Sequence, residues 1–203
     1  MSDISDKSGP SITPPVATAI AAKCSAKIGH NPKTYINPDV KKAISAANRD
    51  GLSRDTQDEI LRDAVSKAKT VADIWALADR ALESDVKHKI ITDGIALARC
   101  PDDYLFLART SYNAWSFAGD RDFHDMILLL GAPSCTSLIQ VDILAEETFQ
   151  GSYGDQILLS RLDLCRSYED FEWIQRHAAT TSTRTIIQDM GEMYLVKSLE
   201  SSK

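Results

Sequence analysis

The sequence predicts an all-α protein built from stacked antiparallel helix pairs, as an α-solenoid or an irregular bundle of about ten helices. Three observations support this class: a short pattern recurs, apolar residues follow helical spacing, and no long stretch alternates with a period of two. Proline is confined to helix starts and loops. One helix pair cannot bury its own apolar face, so a recurring pair predicts that neighbouring pairs stack.

The recurring pattern occupies residues 68–74, 98–104 and 165–171. Each copy reads small, basic, small, two variable residues, Asp, and then a large apolar residue. A weaker fourth copy is predicted at residues 134–139, with Ser137 in the place of the aspartate. A unit of about 30 residues is long enough for one helix pair, so the pattern predicts where each pair begins.

The chain divides by composition into a tail and one domain. Residues 1–13 are rich in Ser, Asp and Pro and are predicted to be disordered. Residues 14–203 are predicted to form a single helical-repeat domain. Within it, residues 14–69 supply N-terminal helices, residues 70–180 supply the helix-pair repeats, and residues 181–203 supply a closing helix.

Helix-start signals place the N-terminal helices. Thr13 and the two prolines after it predict a helix over residues 16–28. Asn37, followed by proline, predicts a second helix that ends near Gly51, and Ser53 caps a third. The apolar stripe of this third helix is Ile60, Leu61, Ala64, Val65 and Ala68.

The repeated segments themselves read as helix starts. Thr70 with Asp73, and Ser167 with Asp170, have the spacing of a capping box, in which the hydroxyl and the acid satisfy free backbone N–H groups. In the copy at residues 98–104 the cap position holds Cys100, which is a poor cap, but Pro101 stands at the first helical position. Second helices are predicted at 85–98, 120–130 and 155–164. The closing helix is predicted at 183–199, with Ile186, Met190, Met193 and Tyr194 on one face.

Charge is unevenly distributed along the chain. The net charge is −6, but residues 1–69 carry 11 basic and 8 acidic side chains, whereas residues 70–203 carry 12 and 21. The acidic body argues against nucleic acid as a partner, because that role needs a basic face. Apolar runs are short, so no membrane span and no membrane partner are predicted.

Two observations predict a cytoplasmic location. The first residues are acids and hydroxyls, without the basic start and apolar core of a signal peptide. The four cysteines lie far apart and show no C-x-x-C spacing, which is typical of reduced thiols rather than of a disulfide or zinc framework. A protein exported without a cleaved signal would share these features.

The function predicted from sequence is protein binding, as an adaptor, a chaperone-like factor or an inhibitor. Arg80, Arg109 and Arg176 recur near the C-terminal ends of the first helices. Compensation of the helix dipole explains them, but they also predict a ladder of guanidinium groups that selects an acidic segment of another protein. Tyr112 and Trp115 are the predicted aromatic anchors.

Two other function classes stay open. One is an enzyme or small-ligand protein with a site between helices, for which Asp122, His124 and Asp125 are the first residues to inspect. Their cluster lacks the EF-hand spacing and reads as the acidic first turn of a helix. The other class is a self-assembling structural component. No catalytic residue, metal ligand or cofactor is predicted, because no nucleophile, zinc or phosphate-loop motif is present.

Overall fold

The computed structural model describes residues 35–111 and 118–201, which form ten α-helices and no strand. Contacts between residues divide the chain into two units, Met1–Thr34 and Tyr35–Lys203, and the described residues belong to the second. The predicted N-terminal tail and the first predicted helix lie outside the described residues. The all-α class predicted from the sequence is confirmed.

The ten helices alternate as first and second members of five antiparallel pairs. They are α1 (Pro38–Ala47), α2 (Arg54–Asp63), α3 (Val71–Ala78), α4 (Ser84–Gly94), α5 (Pro101–Ser111), α6 (Ala118–Gly131), α7 (Leu138–Glu146), α8 (Gly151–Ser160), α9 (Tyr168–His177) and α10 (Thr181–Ser201). Each of the first four pairs ends in a short 3₁₀ turn, at Ala64–Lys67, Ile95–Leu97, Ala132–Ser134 and Leu162–Leu164.

The pairs stack in two layers. The first helices α1, α3, α5, α7 and α9 lie side by side in chain order, and contacts of α2 with α4, of α6 with α8 and of α8 with α10 form the second layer. One continuous apolar core runs between the layers. Its largest fully buried side chains include Leu61, Ile74, Leu77, Ile90, Leu107, Ile127, Leu144, Ile157 and Ile174.

The predicted capping boxes are present at α3 and α9. Thr70 accepts from the backbone N–H of Asp73, and Asp73 Oδ2 accepts in return from the backbone N–H of Thr70 at 3.1 Å. Ser167 and Asp170 make the same exchange. Asp73 is also buried, and its Oδ1 accepts from the backbone N–H of Asn37 at 2.7 Å. This cap therefore joins the second pair to the first.

The fourth copy of the pattern is displaced by three residues from its predicted place. Ser137 is the N-cap of α7, and its Oγ accepts from the backbone N–H of Gln140. Gln140 Oε1 accepts from the backbone N–H of Thr136 at 2.8 Å, which is the role of the acid in the other copies. An amide oxygen accepts as a carboxylate does, so the acid position is held by Gln140 and not by Ser137. The corresponding residues are Asp73, Asp103, Gln140 and Asp170, at intervals of 30, 37 and 30 residues.

The apolar face noted in the sequence of the closing helix is not its buried face. Helix α10 buries Thr183, Ile187 and Gly191, whereas Ile186, Met190 and Met193 are exposed. Tyr194 is 37% exposed, and its ring lies 5.6 Å from that of Phe171. The reason is a close approach at Gly191, where a Cβ atom would lie 2.9 Å from the Cβ of Phe171. The absence of a side chain lets α10 pack directly on α9 through this face, which turns the neighbouring apolar residues outward.

Candidate functional site

Exposed apolar side chains concentrate on α10. Among the described residues, 12 large apolar side chains are exposed, and seven of them lie on this one helix. They are Ile186, Met190, Met193, Tyr194, Leu195, Val196 and Leu199. Single exposed apolar residues are normal on soluble proteins, but a group on one element is typical of an interaction surface.

This exposure follows from the length of α10. The helix has 21 residues, whereas its partner α9 has ten. Residues 192–200 are all exposed, and nine helical residues extend over about 13 Å. The C-terminal half of α10 therefore projects with most of its apolar residues at the surface. Near its start it is held by Tyr194, whose ring packs on Phe171 and whose hydroxyl donates to the carbonyl oxygen of Arg166.

An open recess on this projecting half has a mixed apolar and acidic lining, and we call it the C-terminal ledge. The volume of the ledge is about 540 Å³. The ledge is lined by Asp189, Glu192, Met193, Val196, Lys197 and Glu200. Met193 and Val196 supply its apolar part, and three carboxylates against one ammonium give it a net negative charge.

The positions of α10 that correspond to two buried residues of α8 are polar. Asp155 and Leu158 are buried in α8, and the positions 30 residues later in α10 are Thr185 and Gln188. Both are exposed. Leu195 and Leu199, seven and eleven residues after Gln188, lie on the same side of the helix and are exposed as well, so this side combines polar and apolar residues.

The three predicted arginines lie at the exposed C-terminal ends of α3, α5 and α9. Arg109 donates to Glu147 from Nε at 2.8 Å and from a second nitrogen at 3.1 Å. This hydrogen bonding holds the pKa of Glu147 below its usual value. Arg80 and Arg176 are each more than half exposed. The end of α7 between α5 and α9 carries Glu146 and Glu147, so acids interrupt the cationic series.

The two predicted aromatic anchors, Tyr112 and Trp115, lie outside the described residues. Their role in binding, like that of Arg80, Arg109 and Arg176, stays a prediction.

The acid–histidine cluster of α6 connects this helix to the next helix pair. Asp125 is fully buried, and its two oxygens accept from the backbone N–H groups of Phe149 and Gln150, both at 2.9 Å. His124 Nδ1 lies 3.0 Å from Asp125 Oδ1. Asp122 accepts from the side chain of Gln150. These contacts tie α6 to the start of α8, because the carboxylate satisfies N–H groups that a helix start leaves unpaired.

The same connection occurs in other pairs and was missed from the sequence. Asp58 accepts from the backbone N–H groups of Leu82 and Glu83, and Asp155 from those of Ala179 and Thr180. The buried aspartates and the residue that corresponds to them in α4 are Asp58, His88, Asp125 and Asp155, at intervals of 30, 37 and 30 residues. These intervals equal those of the capping acids and are the signal by which the aspartates could have been found.

A second group of polar side chains meets between α7 and α9. Asp142, Glu146 and His177 each place one potential ligand atom within 4.8 Å of the others, and no other such group of three occurs in the described part of the chain. They line a small cavity of about 120 Å³. Burial raises the pKa of Asp142 to about 6; His177 opposes this shift and Glu146 adds to it. Asp142 and Glu146 are four residues apart in the sequence, but nothing local indicates that His177 joins them.

None of the described helices is long and apolar enough to cross a membrane. Comparison of the chain with protein families, with curated proteins and with solved structures finds no match.

Proposed function

We propose that this protein is a protein-binding module whose partner docks on the C-terminal ledge of α10. The observation that carries the proposal is the concentration of seven exposed apolar side chains on this one helix. The partner is a basic amphipathic helix of another protein. Its apolar stripe covers Met193 and Val196, and its Lys and Arg residues face the carboxylates around them.

The charge of the ledge decides the chemistry of the partner. Asp189, Glu192 and Glu200 surround the apolar residues, with Lys197 as the one cation of the lining. The sequence alone predicted an acidic segment held by arginines, but Glu147 already binds Arg109 and acids interrupt that series. A basic partner meets the ledge with opposite charge, which raises its rate of association and disfavours acidic competitors.

The same charges disfavour a second copy of the ledge as the occupant. Two ledges in contact would place like carboxylates opposite one another, which costs free energy.

Methionine suits a docking surface because its unbranched, polarizable side chain adapts to partners of different shape. Met193 is 58% exposed and Val196 is 55% exposed, so both have apolar area to bury on binding.

The stacked helix pairs also support a role in protein binding. The capping acids and the buried aspartates recur at the same intervals of 30, 37 and 30 residues, which is what we expect of a helical-repeat protein. Such stacks present extended surfaces to other proteins. We therefore propose that the chain is a helical-repeat protein.

A cytoplasmic location is also part of the proposal. Cys100, Cys135 and Cys165 are unpaired thiols in the described residues. Burial raises the pKa of Cys135 and of Cys165 to about 11, so both are protonated and unreactive near neutral pH. Unpaired thiols of this kind fit a reducing compartment.

Substitution of both apolar residues of the ledge tests the proposal. We expect Met193→Asp with Val196→Asp to weaken partner binding at least about tenfold, because each loses a buried apolar contact worth about 1.5–3 kcal/mol. The free energy of unfolding should stay unchanged, since both residues are exposed. The matched control is Arg80→Gln, Arg109→Gln and Arg176→Gln together, which should retain binding. If the arginine variant alone loses the partner, the binding edge is the arginine series.

Photo-crosslinking in native host cells identifies the occupant. A photoreactive phenylalanine analogue replaces Val196 in one variant and exposed Ser45 of α1 in the control. We expect one discrete adduct from position 196 and none from position 45, with the crosslinked peptide a basic amphipathic helix. An adduct of twice the chain mass would identify a second copy instead, and an acidic peptide or no adduct at position 196 would overturn the proposal.

A further inference from the structure

We infer that Asp142, Glu146 and His177 form a binding site for a divalent transition-metal ion of the zinc class. The site lies between α7 and α9, apart from the C-terminal ledge, and does not depend on the proposed function. Two carboxylate oxygens and one imidazole nitrogen are ligands that zinc accepts in proteins, with a fourth position left for water.

The helices bring the three ligands together. Asp142 and Glu146 are four residues apart on α7, so their side chains lie on one face of the helix. His177 is the last residue of α9, the neighbouring first helix. Ligand atoms around a tetrahedral zinc ion are about 3.4 Å apart, and His177 Nε2 lies 4.0 Å from Asp142 Oδ1. The ligand atoms of all three residues lie within 4.8 Å of one another, so side-chain rotations that move these atoms by about 1.5 Å or less would close the site.

The imidazole is oriented for metal binding by its other nitrogen. His177 Nδ1 lies 2.8 Å from the carbonyl oxygen of Trp173, which accepts only, so Nδ1 carries the proton and donates it. In the neutral ring Nε2 then has a lone pair directed away from α9. The Trp173 ring also packs on the imidazole, with ring centroids 4.4 Å apart. A histidine ligand whose second nitrogen donates to a backbone carbonyl is typical of metal sites.

The carboxylate opposite this nitrogen lacks a hydrogen-bond partner. Asp142 Oδ1 is buried and has no hydrogen bond within the described residues, and its side chain is only 14% exposed. A buried polar atom without a hydrogen-bond partner destabilises the fold. His177 Nε2 is too distant for a hydrogen bond. Two electron-pair donors therefore face one another across 4.0 Å, and a cation between them would satisfy both.

The cavity has room for the ion and for a water molecule. Its volume is about 120 Å³, and Thr148, Gly151 and Gly154 complete the wall beside the three ligands. A water molecule takes about 30 Å³ in the liquid. Asp155 also lines the cavity, but its oxygens are bound to Ala179 and Thr180. It is therefore not a ligand.

Imidazole favours zinc and its neighbours over magnesium and calcium, which prefer oxygen ligands alone. The full chain, freed of metal, is titrated with Zn²⁺ and separately with Mg²⁺ by calorimetry at pH 7.5. We expect one equivalent of Zn²⁺ to bind and Mg²⁺ not to bind. Asp142→Asn and His177→Gln should each weaken Zn²⁺ binding at least about tenfold, whereas Glu172→Gln, an exposed acid on α9 outside the cluster, should not.

Cobalt substitution identifies the ligands independently of affinity. We expect Co²⁺ to give visible absorption bands of a four-coordinate nitrogen and oxygen site, without the near-ultraviolet band that cysteine ligands produce. Zn²⁺ should also raise the melting temperature of the wild type and of Cys100→Ser, but not of His177→Gln. Three results would each overturn the inference: no Zn²⁺ binding by the wild type, Zn²⁺ binding by Asp142→Asn and His177→Gln as tight as that of the wild type, or a thiolate absorption band.

Discussion

Replacement of Asp155 by asparagine is expected to lower the free energy of unfolding by about 2–4 kcal/mol, which equilibrium denaturation in urea measures. Asp155 is 4% exposed, and its oxygens accept from Ala179 N at 2.7 Å, from Thr180 N at 3.0 Å and from Thr180 Oγ1 at 2.6 Å. Asparagine keeps the shape but has one acceptor oxygen, and its NH₂ group would face a backbone N–H. One buried donor is then left unpaired at the start of α10.

Asp163→Asn is the matched control for this substitution. Asp163 follows α8 in the same pair, its side chain is 64% exposed, and it pairs with Arg161, which also donates to the carbonyl oxygen of Pro133. An ion pair with a solvent-exposed carboxylate contributes about 0–1 kcal/mol, and Arg161 keeps its second partner, so this variant should lose little. Equal losses in the two variants would show that the contacts of Asp155 with α10 do not hold the last two pairs together.

Asp155 also has a predictable effect on acid stability. Burial, the largest single influence, raises its pKa, but the hydrogen bonds from Thr180, Ala179 and Thr183 together outweigh burial and hold the pKa below the ordinary 3.8. A carboxyl with a lowered pKa in the folded state contributes stability above pH 3.8, and this contribution is lost as the pH falls through the folded-state value. Asp155→Asn should lack this part of the acid-induced loss, as unfolding measured from pH 5 to pH 2 will show.

The helix starts could be predicted from the sequence because their causes are local. Thr70 and Asp73 satisfy one another within a single helical turn, so their spacing alone carries the information. Asp155 was read in the same way as the start of a helix, yet it lies inside α8 and binds residues 24 and 25 positions later. An acid before an apolar run looks the same in both roles, and only the interval to Asp125 distinguishes them.

The candidate surfaces could be predicted less well because packing between helices decides them. The spacing of apolar residues in α10 allowed either of two faces to be buried. Gly191, by letting the helix approach Phe171, selects the face that packs and leaves Met193 outside. Asp142 and His177 are 35 positions apart and meet only because α7 and α9 are neighbours in the first layer.

Gly94→Ala is expected to destabilise the protein by about 1–3 kcal/mol, although alanine is the better helix former. A Cβ atom at Gly94 would lie 2.4 Å from Cγ1, 2.6 Å from Cδ1 and 2.7 Å from Cγ2 of Ile74. Ile74 is fully buried, so its side chain has no free space to move into. The steric cost therefore exceeds the gain of about 1 kcal/mol that alanine brings to a helix. A neutral or stabilised variant in urea denaturation would contradict this expectation.

A double-mutant cycle attributes the loss to this one contact. Ile74→Ala alone should cost about 2–5 kcal/mol because it leaves a cavity. In the Gly94→Ala background it should cost about 1–2 kcal/mol less, since the new methyl group then occupies vacated space instead of clashing. Other pairs show the same complementarity: Gly131 lies against Tyr104 and Gly191 against Phe171. In the fourth pair the corresponding residues are Arg161 and the smaller Val141. The coupling free energy between the two positions should therefore be largest in the pairs where glycine lies against a larger side chain of the first helix.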